Sequence, residues 1–381
     1  MNSAVSRRLF LGGGATLAGA GALGASVHVA AASSPATLPS FGPKAGVAKL
    51  NANENPYGPS KPALEAMAAA SGQGAYYVGE SVGMLKAMIA ERNGVAPEQV
   101  SLSAGSSGVL TYLAVAASKQ GSILGPDLFW DTTVKKAVQQ GGEIVRTART
   151  ADMGIDLDAM YAAIDDSVAM VQITNPNNPT GMLLDGDALR AFCRKASKKC
   201  LVLVDEAYNE LTEDPEYNSM VPLIKEGHDV VVARTFSKIY GLAGMRVGYM
   251  IASPENTELV NRFGLGDYAM NQAGVAAAVA SYNDFGFLAI SKSKIIEARD
   301  MVTQATTEVG LTPLPSQTNF VFVNLGDLDA EIFRQKMAAR NVLIRGIYGD
   351  YTHWSRVSMG RLEDVKRYVK ALPAVLDEMN A

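Results

Sequence analysis

The 381-residue chain reads as an α/β protein, with a three-layer α/β/α large domain around a mostly parallel sheet and a small α+β domain. Three observations predict this. Wholly apolar runs such as LVLV at 201–204 call for strands buried on both faces, the environment of a parallel sheet. Amphipathic stretches with helix-start signals lie between such runs. After about residue 284 the pattern changes to a long helix followed by sparser strands.

Taken in order, the strands are expected at 122–125, 143–147, 169–174, 201–204, 230–234 and 247–251. A helix over 185–196 opens on Asp185, a residue type that accepts hydrogen bonds from a first helical turn. Beyond 284 the expectation is a helix at 291–309, a strand at 319–324, a helix near 330–340, a strand near Val357 and a last helix from Leu362. The domain reading is a leader over 1–32, an arm over 33–70 that completes the small domain, a large domain over 71–283 and a small domain over 284–381.

The leader contains Gly19-Ala20-Gly21-Ala22-Leu23-Gly24, which spells G-x-G-x-x-G. A dinucleotide site also needs a strand before the glycines and an acidic residue about 20 positions on. Here no Asp or Glu occurs before Glu54. The segment reads instead as an export address, with Ser6-Arg7-Arg8-Leu9-Phe10-Leu11, an apolar run and Ala30-Ala31-Ala32 before Ser33. Its first part resembles the twin-arginine signal, which a receptor reads and which is not an anchor. The expectation is a periplasmic or otherwise exported protein that uses the twin-arginine machinery and carries a cofactor acquired before export. Removing 32 residues leaves 349, with 32 basic residues against 38 acidic ones and a net charge of −6. That balance gives no electrostatic case for nucleic acid or an anionic membrane. Two cysteines argue against a disulfide framework, and three histidines against a histidine-based metal site.

Chemistry-bearing residues follow the expected strands. After 230–234 comes Thr235-Phe236-Ser237-Lys238-Ile239-Tyr240-Gly241, with Arg246 a few residues on. A desolvated lysine can act as a nucleophile or Schiff-base former, and the hydroxyls with Arg246 suit a phosphate. Lysine plus phosphate cradle is what pyridoxal phosphate requires. Asp205 follows LVLV and can pair with a pyridinium nitrogen. Asn175-Pro176-Asn177-Asn178-Pro179-Thr180-Gly181 follows 169–174 as a rigid turn. Ser103-Ala104-Gly105-Ser106-Ser107 precedes a helix expected to begin near Gly108, whose free N–H groups favour an anion.

Along nearly its whole mature length the chain resembles the fold-type I pyridoxal-phosphate aminotransferases, most closely the histidinol-phosphate aminotransferase group. The stretches that carry this are LNANENPYGPS (50–60), NPNNPTG, VDEAY (204–208), TFSKIYGLAGMRVGY (235–249) and SRVSMG (355–360). The resemblance implies that Lys238 forms the Schiff base and shuttles the proton. It implies that Asp205 holds the pyridine nitrogen and that Asn178 and Tyr208 contact the ring hydroxyl. Ser106, Ser107, Thr235, Ser237 and Arg246 are implied to bind phosphate, and Arg356 the substrate carboxylate. Tyr57 and Arg345 are implied to contact substrate, Arg345 near an arginine that contacts substrate phosphate in the group.

Two stretches depart from the family pattern. Where relatives have proline, threonine and an aromatic that stacks on the cofactor, this chain has Pro126-Asp127-Leu128-Phe129-Trp130. Spacing favours Trp130 for the stack, with Phe129 the alternative. Tyr76-Tyr77-Val78-Gly79 stands where the group has Arg-Tyr-Pro. Spacing places Tyr77 at the tyrosine that reaches a partner's cofactor phosphate across a homodimer, with Tyr76 the alternative. The expected activity is ping-pong transfer of an amino group between an amino acid, or a histidinol-phosphate-like amine, and a 2-oxo acid. The alternatives are a lyase of the threonine-phosphate decarboxylase type and an exported binding protein without catalysis. Because histidine is made in the cytoplasm, export points to a donor other than histidinol phosphate.

Overall fold

The computed structural model describes residues 41–381, of which 43–381 form one compact unit. The twin-arginine motif, the cleavage site and most of the 33–70 arm's first part lie outside the described residues.

In chain order the strands are β1 (Ala48–Leu50), β2 (Val100–Ser103), β3 (Ser122–Pro126), β4 (Ile144–Thr147), β5 (Val168–Thr174) and β6 (Leu201–Asp205). They continue as β7 (Val230–Thr235), β8 (Gly248–Ile251), β9 (Thr312–Pro313), β10 (Phe320–Asn324), β11 (Val342–Ile344) and β12 (Trp354–Ser358). Seven of these form one sheet in the order β2-β8-β7-β6-β5-β3-β4. Pairing from β7 through β4 is parallel, and β8 alone runs against its two neighbours. The sheet is mostly parallel, as the apolar runs require: β7 is buried at every position.

This order brings the carboxyl ends of β2, β3, β5, β6 and β7 to one edge, where ligands of such sheets bind. Two smaller sheets involve the carboxyl-terminal segment. In one, β1 pairs in parallel with β11, joining residue 48 to residue 342 across most of the chain. In the other, β10 lies between β12 and β9.

The predicted helix at 185–196 forms as Gly186–Ala196, with the Asp185 carboxylate accepting from Ala188 N at 2.9 Å. Besides the short strands β1, β9 and β11, which the sequence reading does not contain, three elements differ from it. The helix expected near Gly108 begins at Ser106, because Gly105 at φ 75° turns the chain directly off β2. The long helix begins at Phe285 rather than Ser291, because Asp284 caps it through Phe287 N at 3.1 Å. β2 itself was not expected, since VSLS is short and half polar. Its burial at all four positions comes from the β8 strand beside it and the helix above.

Candidate active site

Lys238, Asp205, Tyr208, Asn178, Thr235, Ser237, Arg246, Ser106, Ser107, Trp130, Phe129, Arg345 and Arg356 line a single cavity of about 710 Å³. It sits at the carboxyl-end edge of the large sheet, so each strand delivers its own group.

One end is built for an anion. Helix Ser106–Ala117 starts after Gly105, which has no side chain to cap it; Val109 N donates to Ser103 Oγ at 3.3 Å, and no side chain among the described residues takes the N–H groups of Ser106 and Ser107. The Arg246 guanidinium crosses this end, donating to Ser107 Oγ at 3.1 Å, Ala104 O at 3.3 Å and Ser237 Oγ at 3.4 Å. Thr235 Oγ1 donates to Ser237 Oγ at 2.9 Å and accepts from Ser237 N at 3.1 Å. Arg246 itself holds φ 54°, the left-handed region that few side chains adopt, which turns the chain into β8. A Cβ on Gly105 would stand 2.3 Å from Arg246 Nη2, and one on Gly248 would stand 2.0 Å from Ser106 N. The helix end and the strand therefore meet backbone against backbone, with the Arg246 guanidinium lying on Gly105.

The floor holds the titratable pair. Lys238 Nζ donates to Asn53 O at 3.0 Å and stands 5.4 Å from the Tyr208 ring centroid. Burial, and then the Arg356 charge, push its pKa down to about 8, so a neutral amine is accessible. Burial raises Asp205 to about 7, and its Oδ1 has no hydrogen-bond partner among the described residues. A buried carboxylate oxygen with no donor is costly, and a protonated ring nitrogen is the kind of partner that satisfies it. Behind it, Glu206 is satisfied fully by Arg234 at 2.8 Å, Ser219 Oγ at 3.2 Å and Met220 N at 2.6 Å. The two adjacent acids thus differ: one is paired and inert, the other open to the cavity.

Asn178 links this floor to the substrate side. Its Oδ1 accepts from Arg356 Nη1 at 2.9 Å, and its Nδ2 donates to Tyr208 Oη at 3.5 Å. Tyr208 also accepts from Asn53 Nδ2 at 2.9 Å, and burial pushes its hydroxyl up to about 12. Asn53 was passed over in the sequence reading. The NANEN stretch in which it lies was the available signal, yet nothing local says that its carbonyl meets Lys238 or that its Oδ1 accepts from Ser358 Oγ at 2.6 Å. Arg356 is buried, with Nε unpartnered and its guanidinium 5.1 Å from the Phe320 centroid. Arg345 is exposed on the neighbouring strand position, its N donating to Arg356 O at 3.1 Å. Tyr348, also missed from sequence, lies between them, 5.5 Å from the Arg345 and 5.4 Å from the Arg356 guanidinium.

Both candidate aromatics border the cavity; Phe129 is buried, packed against Gly125, whereas Trp130 is half-buried. Tyr57 and Tyr77 are not among the cavity's residues. The Tyr57 hydroxyl accepts from Leu362 N at 3.1 Å. Tyr77 is 83% exposed and meets Tyr268 edge to face at 5.9 Å, with Tyr76 beside it at 70%.

The uncapped helix end with Arg246, the orphaned Asp205 oxygen and the lysine of lowered pKa fit the phosphate, ring nitrogen and aldehyde of pyridoxal phosphate. Residues 45–372 match the aminotransferase class I and II family. Histidinol-phosphate aminotransferase 1 of Cupriavidus pinatubonensis is 35% identical over 337 residues, covering 87% of this chain and 89% of that one. Histidinol-phosphate aminotransferase 2 of Ralstonia nicotianae is 36% identical over 344 residues, covering 88% and 90%. The structure of a histidinol-phosphate aminotransferase from Sinorhizobium meliloti, in complex with pyridoxal-5'-phosphate, superposes with a TM-score of 0.81 at 28% identity. That superposition covers 90% of this chain and 96% of the other. With the match running through every strand that feeds the cavity, the chain belongs to the class I and II aminotransferases and is a pyridoxal-phosphate-dependent aminotransferase.

Proposed function

We propose that the enzyme moves an amino group between an amino acid and a 2-oxo acid, with Lys238 as the proton-moving base and Arg356 as the grip for the carboxylate common to both. One observation carries this reading. Lys238 stands in a single cavity with Asp205, whose Oδ1 has no partner among the described residues, and a buried arginine, Arg356, bound through Asn178 to Tyr208.

Pyridoxal phosphate supplies, when bound, an electron-withdrawing ring with an aldehyde to which amines bond. Ser106, Ser107, Thr235, Ser237 and Arg246 would hold its phosphate, Asp205 its ring nitrogen, Asn178 and Tyr208 its hydroxyl, and Trp130 its face. Asp205, buried and offered a protonated nitrogen, keeps the positive charge there. Lys238 Nζ, in the neutral form that burial and Arg356 bring within reach, takes the proton from the substrate Cα and later returns one. Arg356 offers a donor fork that matches a carboxylate. The carboxylate of the first product and that of the second substrate use the same fork in turn, as a ping-pong sequence requires.

The relatives are named for histidinol phosphate, which carries phosphate where amino acids carry carboxylate. We infer a donor other than histidinol phosphate. The exposure of Arg345 supports this, and so does the twin-arginine motif at Arg7-Arg8, from which we infer export to the periplasm. The exposed Tyr76, Tyr77, Leu265 and Tyr268 support a homodimer in which Tyr77 serves the partner's cavity.

The test is a donor panel. Cofactor-loaded protein is mixed singly with L-histidinol phosphate, L-glutamate and the aromatic amino acids, and the visible spectrum is followed for conversion of the cofactor to its aminated form. Conversion by histidinol phosphate alone overturns the substrate reading. Carbon dioxide release without oxo-acid-dependent transfer overturns transamination. Fractionating cells that carry Arg7→Lys with Arg8→Lys tests export, and sedimentation tests the dimer.

A further inference from the structure

The cavity has two walls made by distant stretches of chain. Residues 127–133 follow β3 and carry Phe129 and Trp130. Residues 345–356 carry Arg345, Ile347 and Tyr348 and end at Arg356. Outside the cavity these walls are joined by three side chains that do not line it. The Tyr351 hydroxyl meets both carboxylate oxygens of Asp127, at 2.9 and 2.7 Å. Arg149 Nε donates to Asp127 Oδ1 at 3.0 Å, and its guanidinium covers the Tyr351 ring at 4.2 Å while also donating to the hydroxyl. The Arg149 side chain is 13% exposed and that of Asp127 35%, so the cluster is partly withdrawn from water.

The two ends of this clasp are unequal. Asp127 is fixed through its backbone, its N donating to Thr147 O and its O accepting from Arg146 Nη1, both at 2.9 Å. Tyr351 sits on the opposite wall. Among the described residues, the hydrogen bonds from 346–353 to the β3 side all run through its hydroxyl. Trp130 is three residues from Asp127, and Tyr348 three from Tyr351; Leu128 shares an apolar cluster with Tyr348 and Tyr351, and the clasp adds the directional tie between the walls. Tyr348 in turn separates the two arginines.

The geometry points to Tyr351 as a positioning residue. Held by Asp127 and Arg149, it makes occupancy of the cofactor side fix the wall that carries Tyr348 and leads to Arg356, before substrate enters. This rests on the reading that Trp130 faces the cofactor and Arg356 the carboxylate. The chemistry is a charge-assisted O–H to carboxylate bond, which is stronger and more directional than a neutral one.

Hydrogen exchange of the full chain with and without pyridoxal phosphate tests it, with cofactor binding followed by visible absorption. In the native protein the cofactor is expected to slow exchange over 346–353 roughly tenfold. Tyr351→Phe keeps the ring under Arg149 and removes only the hydroxyl. It should abolish that slowing while the cofactor titration and the slowing over 237–246 stay unchanged. Asp127→Asn keeps one acceptor oxygen and should retain part of the effect. The proposal falls if Tyr351→Phe shows the native slowing, or if the native protein shows none over 346–353. It also falls if Tyr351→Phe speeds exchange equally with and without cofactor, since that is packing alone. Failure of the native protein to bind the cofactor would remove the underlying reading instead, and is seen separately in the absorption.

Discussion

The phosphate end of the cavity and the wall at 345–356 solve the same problem, holding charged groups in place, by different means. At the phosphate end, groups sit on or just beyond strand ends of one sheet, and backbone meets backbone at Gly105 and Gly248. At 345–356, Arg345 is exposed, Tyr348 is half-buried, and the tie to the opposite wall is a cluster of side chains. A rigid edge suits a ligand that never changes, and an adjustable wall suits two substrates that exchange places.

The comparison is broken most severely at Lys238. Lys238→Ala should cost about 10⁴-fold in amino-transfer rate, the scale of a lost general base, and steady-state turnover with the best donor reads it. Near-native turnover would separate the floor from the chemistry. Arg356→Lys should leave the cofactor spectrum intact but cost about 3 kcal/mol, or on the order of a hundredfold in kcat/KM, because a point charge replaces a fork. A change in the cofactor spectrum of equal size would mean that the two ends are not independent.

Asp205 gives a pH signature in the cofactor-free protein. Its folded pKa of about 7 lies above the ordinary 3.8, so between these values the folded chain keeps a proton that the unfolded chain has shed. Stability to urea should therefore fall as pH rises from about 4 to 7, and Asp205→Asn should remove that fall. Lys238 works in the opposite sense. Its folded value of about 8 lies below 10.5, so its contribution rises with pH across that window. The smallest effect is expected at Arg345→Ala. As a solvent-exposed charge it should change kcat/KM for a simple amino acid by no more than about threefold. A larger loss would move Arg345 to the same standing as Arg356.

This contrast also explains what the sequence disclosed. Lys238, Asp205 and Asn178 each follow an apolar strand, so alternation and burial alone point to a shared edge. The site's other half depends on pairings that no local pattern announces. Asn53 reaches Lys238 across 185 positions, and Tyr351 reaches Asp127 across 224. Tyr348 becomes visible only when β10 and β12 have paired and Arg345 has come beside Arg356. β2 escaped notice because its polar residues are buried by neighbours rather than by their own hydrophobicity. Tyr57, named from its motif, is engaged with the helix at Leu362 rather than with the cavity.

Gly248 carries a consequence for how this protein can change over time. With Ser106 N only 2.0 Å from any added Cβ, no replacement fits there without displacing the helix that ends at the phosphate site. Saturation mutagenesis should find position 248 closed, whereas the exposed Ile347, on the rim of the other wall, should accept many residues. Variation is thereby channelled into the substrate side, and new donors can be acquired by descendants of this chain while the cofactor seat passes on unaltered.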